Sequence, residues 1–582
     1  MNQLFSLLTL LLISFSAHAQ QEPFLNNETY TFDQTVETYK DLAQAFPENS
    51  KYLEFGQSDF GKPIPLFLMS ASGELDTSSI QRKNVVLINN AIHPGEPCGV
   101  DACVFLAKQW LEKNQIPKNV IIAIIPLYNV GGAHNRGCCS RANQNGPAEY
   151  GFRGNAKNLD LNRDFIKADS RNTHSFYEIF KWLNPAVFVD THTSNGADYQ
   201  HTMTLITSQL DKMNPVLAHY TKNNLNPYLF KKMEKDNYPM VPYVHTLKKT
   251  PDDGIFDYLE TPRYSTGYTN LFNCVSYVSE AHMLKSYQDR VMSTYKFIVH
   301  LTQFLSKNEE EIFQIRKEAN LYLSQQTELA LNWELDTTRF DTIPFKGYTA
   351  TYKTSEVTGN NRLFYDRNQP WEKHIRYYNR YKVTDKVDIP KYYIIPQAWR
   401  DIMHLIAAQP HTSIYKLKAD VEMDIEGYYI NDYKTRQTPY EGHYLHYQVD
   451  VEKVTKRVGY VKGDFIIPTQ SLAKRFIVET LEPHAPDSYF AWNYFDAILQ
   501  QKEWFSAYVF EDEAAEMLKS DATLNAALEA KKESDSTFAK SDFAQLYYLY
   551  KKSDHYERSA NFYPVTRLTN EIDMTLLTPA TF

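Results

Sequence analysis

The chain has 582 residues, of which 43% are apolar and 23% charged, the composition of folded globular units and length enough for two to four of them. A net charge of −9 with both signs interspersed offers no basic face and argues against a nucleic-acid partner. Beyond the N-terminus there is no stretch of about 18 apolar residues, so no membrane span is expected.

The first segment reads as an address. An apolar run from Leu4 to Phe15 precedes Ser16-Ala17-His18-Ala19, an Ala-x-Ala-like cleavage site before Gln20. Residues 1–19 are therefore expected to be a signal peptide, and the mature protein to be secreted or periplasmic. Five cysteines (98, 103, 138, 139, 274) make an odd count with no CxxC spacing, so no cysteine metal site is expected. Cys138 and Cys139 are adjacent, which disfavours a bridge between them on geometric grounds.

Strand and helix patterns then alternate. Val85–Ile88 is a short apolar run, followed by a helical stretch from Gly99 to Leu111. Val120–Ile125 is wholly apolar and β-branched, as in a strand covered on both faces. A long loop from Tyr128 to Arg163 leads to a helix near Ser175–Leu183, a strand at Ala186–Asp190, another at Val275–Glu280 and a helix from Tyr287 to Leu305. This order implies an α/β unit with a mixed, largely parallel sheet flanked by helices, spanning residues 20–333. A helical stretch is expected over Glu309–Leu331. Short alternating runs rich in Tyr, Thr and Val predict a β-rich domain over 334–475, and the polar Ala/Glu/Lys texture beyond predicts a helical region over 476–582.

Open α/β sheets bind ligands outside the carboxyl ends of their strands, and three informative strings fall there. Ala91-Ile92-His93-Pro94-Gly95-Glu96-Pro97 follows a strand and precedes a helix, placing an imidazole and a carboxylate three residues apart on a tight turn. Val187-Phe188-Val189-Asp190-Thr191-His192 ends a buried strand in a second histidine. His93, Glu96 and His192 together make a His₂Glu set, three ligands that leave a zinc ion one open position. Glu280 closes the apolar run Tyr277-Val278-Ser279, where a carboxylate must be paired, solvated in a cleft or employed as a base. Each string alone has an ordinary reading: a chance H-x-x-E, a histidine satisfied by backbone carbonyls, a salt-bridged glutamate. Between them, the loop Phe152-Arg153-Gly154-Asn155 to Asn162-Arg163-Asp164-Phe165 offers two arginines that could clamp a carboxylate or take up oxyanion charge, or simply lie on a solvated loop. His443 and His446 could touch one metal, though packed histidines are commoner.

The strings HPGEPCG, NLDLNRDF, VDTHTSNGADYQ and YVSEAH, in that order, resemble the zinc metallocarboxypeptidase family, the carboxypeptidase A-like peptidases, over residues 30–305. The resemblance implies one Zn²⁺ held by His93, Glu96 and His192, with Glu280 as general base and Arg153 polarising the scissile carbonyl. It implies that Asn162 and Arg163 hold the terminal carboxylate of a peptide or peptide-like substrate, hence C-terminal peptide-bond hydrolysis. Arg136 or Arg141 are alternatives for Arg153, and the closing tyrosine is Tyr258 by position, with Tyr264 and Tyr268 as alternatives. Two other functions stay open on this scaffold: an amidase for peptidoglycan stem peptides or N-acyl amino acids, and a binding protein without catalysis. No G-x-S-x-G string is present, which counts against a serine hydrolase.

Overall fold

The computed structural model describes residues 21–582; the expected signal peptide lies outside them. Its centre is an eight-stranded sheet made of β1 (Ser50–Phe55), β2 (Ile64–Met69), β3 (Asn84–Asn89), β4 (Val120–Ile125), β5 (Val187–Ser194), β6 (Met203–Thr207), β7 (Met240–Pro242) and β8 (Val275–His282). The order is β1-β2-β4-β3-β5-β8-β6-β7, with β4, β3, β5 and β8 mutually parallel at the centre.

Alternation along these strands sorts side chains onto two faces. Val187 and Val189 point into one core, packed with Val104 and Ala107 of helix Cys98–Glu112 and with Phe297 and Leu301 of helix Tyr287–Lys307. Phe188 points into the other, with Phe176 and Phe180 of helix Arg171–Leu183. By the same two-residue period, Asp190 and His192 continue the Phe188 face. Parallel pairing sets Glu280 directly opposite His192 and Val278 opposite Asp190, so these four share a side at the carboxyl ends of the strands.

The helix expected to reach Leu331 ends at Gln325, and Glu328–Leu335 is a strand paired antiparallel with Tyr381–Asp388. Its buried Leu331 belongs to the core, and sheet pairing overrides its helix propensity. A long hairpin, Asp341–Thr354 and Asn361–Tyr378, follows and lies against the α/β unit through Ile255 and Phe256. A seven-stranded sheet runs His446–Tyr460, Val421–Thr435, Thr566–Leu568, Tyr392–Ile395, Phe465–Pro468, Tyr415–Leu417, Leu577–Pro579. Its strands come from both sides of residue 475, while helices Ala507–Ser520, Ala522–Ser534 and Asp542–Tyr550 surround a small core of their own. The Phe188-face core does not stop at the α/β unit: it continues through Tyr268 and Phe272 to Phe476 and Trp492. Cys138 and Cys139 are bridged to each other, contrary to the geometric expectation, at an exposed point of the long loop; Cys98, Cys103 and Cys274 are free and buried. Among the described residues no helix is long and apolar enough to cross a membrane.

Candidate active site

The turn after β3 bends because Ala91 takes a left-handed conformation (φ 54°), uncommon for a residue with a side chain. It turns the chain so that His93 and Glu96 face the end of β5. Two glycines permit the crowding around them. A Cβ on Gly95 would meet Arg141 Cδ at 2.6 Å, and one on Gly99 would meet Thr191 Oγ1 at 2.0 Å, where the next helix packs on β5.

His93 Nδ1 lies 3.3 Å from Glu96 Oε1, and His192 Nδ1 lies 2.9 Å from Glu96 Oε2. One donor atom from each of the three falls within 4.8 Å of the others, and all three residues are buried. Zinc bonds of about 2.0–2.2 Å in tetrahedral array put ligand atoms roughly 3.3 Å apart, so this donor set fits a zinc ion. The outward nitrogens face carboxylates: His93 Nε2 hydrogen-bonds Asp160 Oδ1 at 2.9 Å, and His192 Nε2 lies 3.2 Å from Asp190 Oδ2, out of line for a hydrogen bond. Such carboxylate backing fixes a ring and its tautomer, leaving the other nitrogen free to ligate. Burial pushes the Glu96 carboxyl up, but Arg141 and His93 more than offset it and hold the group well below the ordinary range.

Glu280 stands on β8 beside this set. Its Oε2 is inaccessible and has no hydrogen-bond partner. Burial raises its carboxyl to about 7, with His192 pulling down and the Glu96 carboxylate pushing further up. A carboxyl poised there can exchange a proton near neutrality, as a general base requires.

The opposite wall is the turn Asp160–Arg163. Arg153 closes on Asp160 Oδ2 through Nε (3.0 Å) and Nη2 (2.9 Å), and its Nη1 lies 3.5 Å from Glu96 Oε1. Asn162 Oδ1 accepts from the Ser265 backbone N–H at 2.9 Å. The Arg163 guanidinium sits 4.4 Å over the Tyr264 ring, which meets Tyr258 edge-on at 5.6 Å. Both histidines, Glu96, Glu280, Arg153, Asn162, Arg163 and Tyr258 thus line one cleft of about 240 Å³, together with Arg141, Tyr243, Tyr264, Ile206 and Val278.

The open alternatives separate clearly. Tyr264 lines the cleft with Tyr258, whereas Tyr268 is buried against Tyr177 and donates its hydroxyl to Gln409. Arg136 turns to the Thr29 carbonyl and Glu149, away from the cleft. Arg141 enters it, donating to Glu96 Oε1 at 2.7 Å and to the Thr193 carbonyl at 3.3 Å. Sequence reasoning did not single out Asp160, Asp190 or Tyr243. The first two stand inside the quoted strings, two residues from Asn162 and His192, and the two-residue strand period alone would have put Asp190 on the face of His192. His443 and His446 do not share a metal: His443 pairs with Asp169 at 2.9 Å and His446 with Asp496 at 3.0 Å.

Residues 35–281 match the zinc carboxypeptidase family. Among curated proteins, the chain is 24% identical over 166 residues to the "Probable carboxypeptidase 2" of Trichophyton verrucosum, covering 27% of this chain and 29% of that protein. It is 25% identical over 169 residues to "Carboxypeptidase 2" of Trichophyton rubrum, covering 28% of each. The chain thus spans less than a third of the length of these curated relatives. Similar solved structures include a metallo-carboxypeptidase from Burkholderia cenocepacia (15% identity, TM-score 0.34, 48% of this chain and 69% of that one). Another is from Pseudomonas aeruginosa, in complex with (2-guanidinoethylmercapto)succinic acid (13% identity, TM-score 0.36, 49% and 70%). Residues 35–281, which carry the H-x-x-E turn and the distant histidine, are thus the part of the chain that is similar to the zinc carboxypeptidase family.

Proposed function

We propose that the protein is a zinc-dependent carboxypeptidase that removes the last residue of a peptide bearing a free terminal carboxylate. The observation that carries this reading is the convergence of His93, Glu96 and His192 with Glu280 in register beside them. A zinc ion held by the three ligands would polarise the scissile carbonyl and acidify water. Glu280, with an unpaired oxygen and a carboxyl raised to about 7, takes the proton from the attacking water and passes it to the leaving amine. Arg153, anchored on Asp160, presents Nη1 to the cleft, where a guanidinium offsets charge growing on the carbonyl oxygen. Asn162 and Arg163 bind the terminal carboxylate, and Tyr258 covers it; Arg163 is partly free because its weak pairing with Asp160, at 3.8 Å, leaves hydrogen-bonding capacity. The N-terminal address assigns this work outside the cytoplasm, after export.

The test is turnover of two N-blocked peptides, one with a free C-terminus and one amidated, by purified protein before and after chelation. Cleavage of the free acid alone, lost on chelation and restored by zinc, is expected. Cleavage that survives removal of metal, or equal cleavage of the amide, would sink the proposal.

A further inference from the structure

We propose that a turn of the C-terminal region, Tyr440–His443, acts through Glu441 to position the Asp160–Arg163 segment, and so sets how firmly the cleft grips a substrate's terminal carboxylate. The inference rests on the carboxypeptidase reading above. Residue 441 lies far outside the stretch that matches the family, 160 residues past its end at 281.

The turn is built to present one side chain. Tyr440 and His443 exchange backbone hydrogen bonds of 2.7 and 3.1 Å around a two-residue loop. Its central residues, Glu441 and Gly442, have φ of 51° and 88°, the pair of positive values that a type I′ turn demands. Glycine accepts that conformation freely, whereas glutamate does so against its preference and stays only where its surroundings hold it. What holds it is the Asp160 backbone N–H, which donates to Glu441 Oε2 at 2.7 Å.

Asp160 is the hub of that wall. Its Oδ1 backs His93 Nε2 and accepts from the Asn162 N–H at 2.9 Å, and its Oδ2 holds Arg153. Fixing its backbone therefore fixes the peptide that leads into Asn162 and Arg163. Further contacts show the same grip. His443 Nε2 reaches Asp169 Oδ2 at 2.9 Å, and the Tyr494 hydroxyl donates to the Lys167 carbonyl at 2.5 Å, so the chain just beyond the segment is tied to the C-terminal region too. On its other side Tyr440 lies 5.5 Å from the guanidinium of Arg263, which is itself bonded to Asp487 at 2.7 Å and immediately precedes Tyr264 of the cleft. One turn thus touches both loops of the wall that carries Arg163: the Asp160–Arg163 turn and the segment leading into Tyr264. Glu441 does not line the cleft, so it is a positioning residue.

The test uses the full chain and the same two peptides. Glu441→Ala should raise KM for the free-acid peptide about tenfold with kcat little changed, whereas Glu441→Gln, which keeps an acceptor oxygen, should stay within about twofold of wild type. Should Glu441→Ala melt below the assay temperature, Glu441→Asp, one methylene short of Asp160, should give a KM rise in the same direction. Wild-type KM in the destabilised-acceptor variants, or a loss in Glu441→Gln equal to that in Glu441→Ala, overturns the inference. A wild type that turns over neither peptide overturns the carboxypeptidase reading instead, and the two failures are told apart by the wild-type assay.

Discussion

The two walls of the cleft are held in different ways. The wall of His192 and Glu280 rises from the carboxyl ends of β5 and β8, whose ladder pairs those two residues directly. The wall of Asp160–Arg163 and Tyr258–Tyr264 is loop, and its fixed points include Glu441, His443, Asp487 and Tyr494, between 224 and 327 residues away along the chain. Strand ends at the centre of a sheet support themselves once the strands pair. Loops require partners, and here the C-terminal region supplies them.

If the strand-borne wall is self-supporting, changes there should touch chemistry while leaving the scaffold intact. Glu280→Gln should lower kcat by about 10²–10⁴-fold while the protein still binds one zinc, read by turnover and metal analysis of one preparation. Loss of zinc along with activity would mean that Glu280 holds the centre together, and the comparison would fail on its firmer side.

Arg141 probes the join between the metal turn and β5, since it bonds both Glu96 and the Thr193 carbonyl. Removing such an outer partner of a ligand typically weakens metal binding about 10–100-fold, so Arg141→Ala should need correspondingly less chelator to be stripped. Unchanged zinc affinity would confine Arg141 to the substrate side.

The loop wall should fail differently. Arg263→Ala leaves the buried Asp487 carboxylate without its partner, a change that costs about 3–5 kcal/mol and should show as a lower melting temperature. The same variant should raise KM more than it lowers kcat. Equal damage to both would mean that the Tyr258–Tyr264 loop does not depend on this anchor.

The smallest effect is the pH dependence. Because the Glu280 carboxyl is raised from its ordinary value toward about 7 and must be ionised to accept a proton, kcat/KM should climb with rising pH and level off above that point. The acid limb should vanish in whatever activity Glu280→Gln retains. A limb at the usual carboxylate value would show that burial does not tune this group.

The same contrast explains what could be read in the sequence. His93 and Glu96 lie on the turn that follows one apolar run, and His192 and Glu280 lie at the carboxyl ends of two others, so the runs mark both the strands and the points where they open to the cleft. Arg153, Asn162 and Arg163 stand out in the sequence by their motif, and all three line the cleft. Asp160, sitting among them, escaped because an aspartate two residues before an asparagine signals a loop cap as readily as the partner of a histidine. Nothing near Glu441 announces a site, since its relevance lies wholly in a contact 281 residues distant. The run through Leu331 shows the same blind spot at the level of fold: Glu328–Leu335 becomes a strand because Tyr381–Asp388 is there to pair with it, and pairing between distant segments leaves no local periodicity.

The order of strands in the seven-stranded sheet has a consequence for how this protein is made. Thr566–Leu568 lies in the interior of that sheet, between Val421–Thr435 and Tyr392–Ile395, and its buried Arg567 pairs with Glu426 at 3.0 Å and Glu482 at 3.1 Å. During synthesis those two carboxylates leave the ribosome well before their cation, so this part of the structure cannot close until residue 567 has emerged. The cluster of His93, Glu96 and His192 is complete by residue 192, whereas the hairpin that carries Glu441, Val421–Thr435 and His446–Tyr460, has Thr566–Leu568 as its neighbour in the sheet. A nascent chain would therefore hold all three residues of that cluster before the strand that flanks the Glu441 hairpin exists.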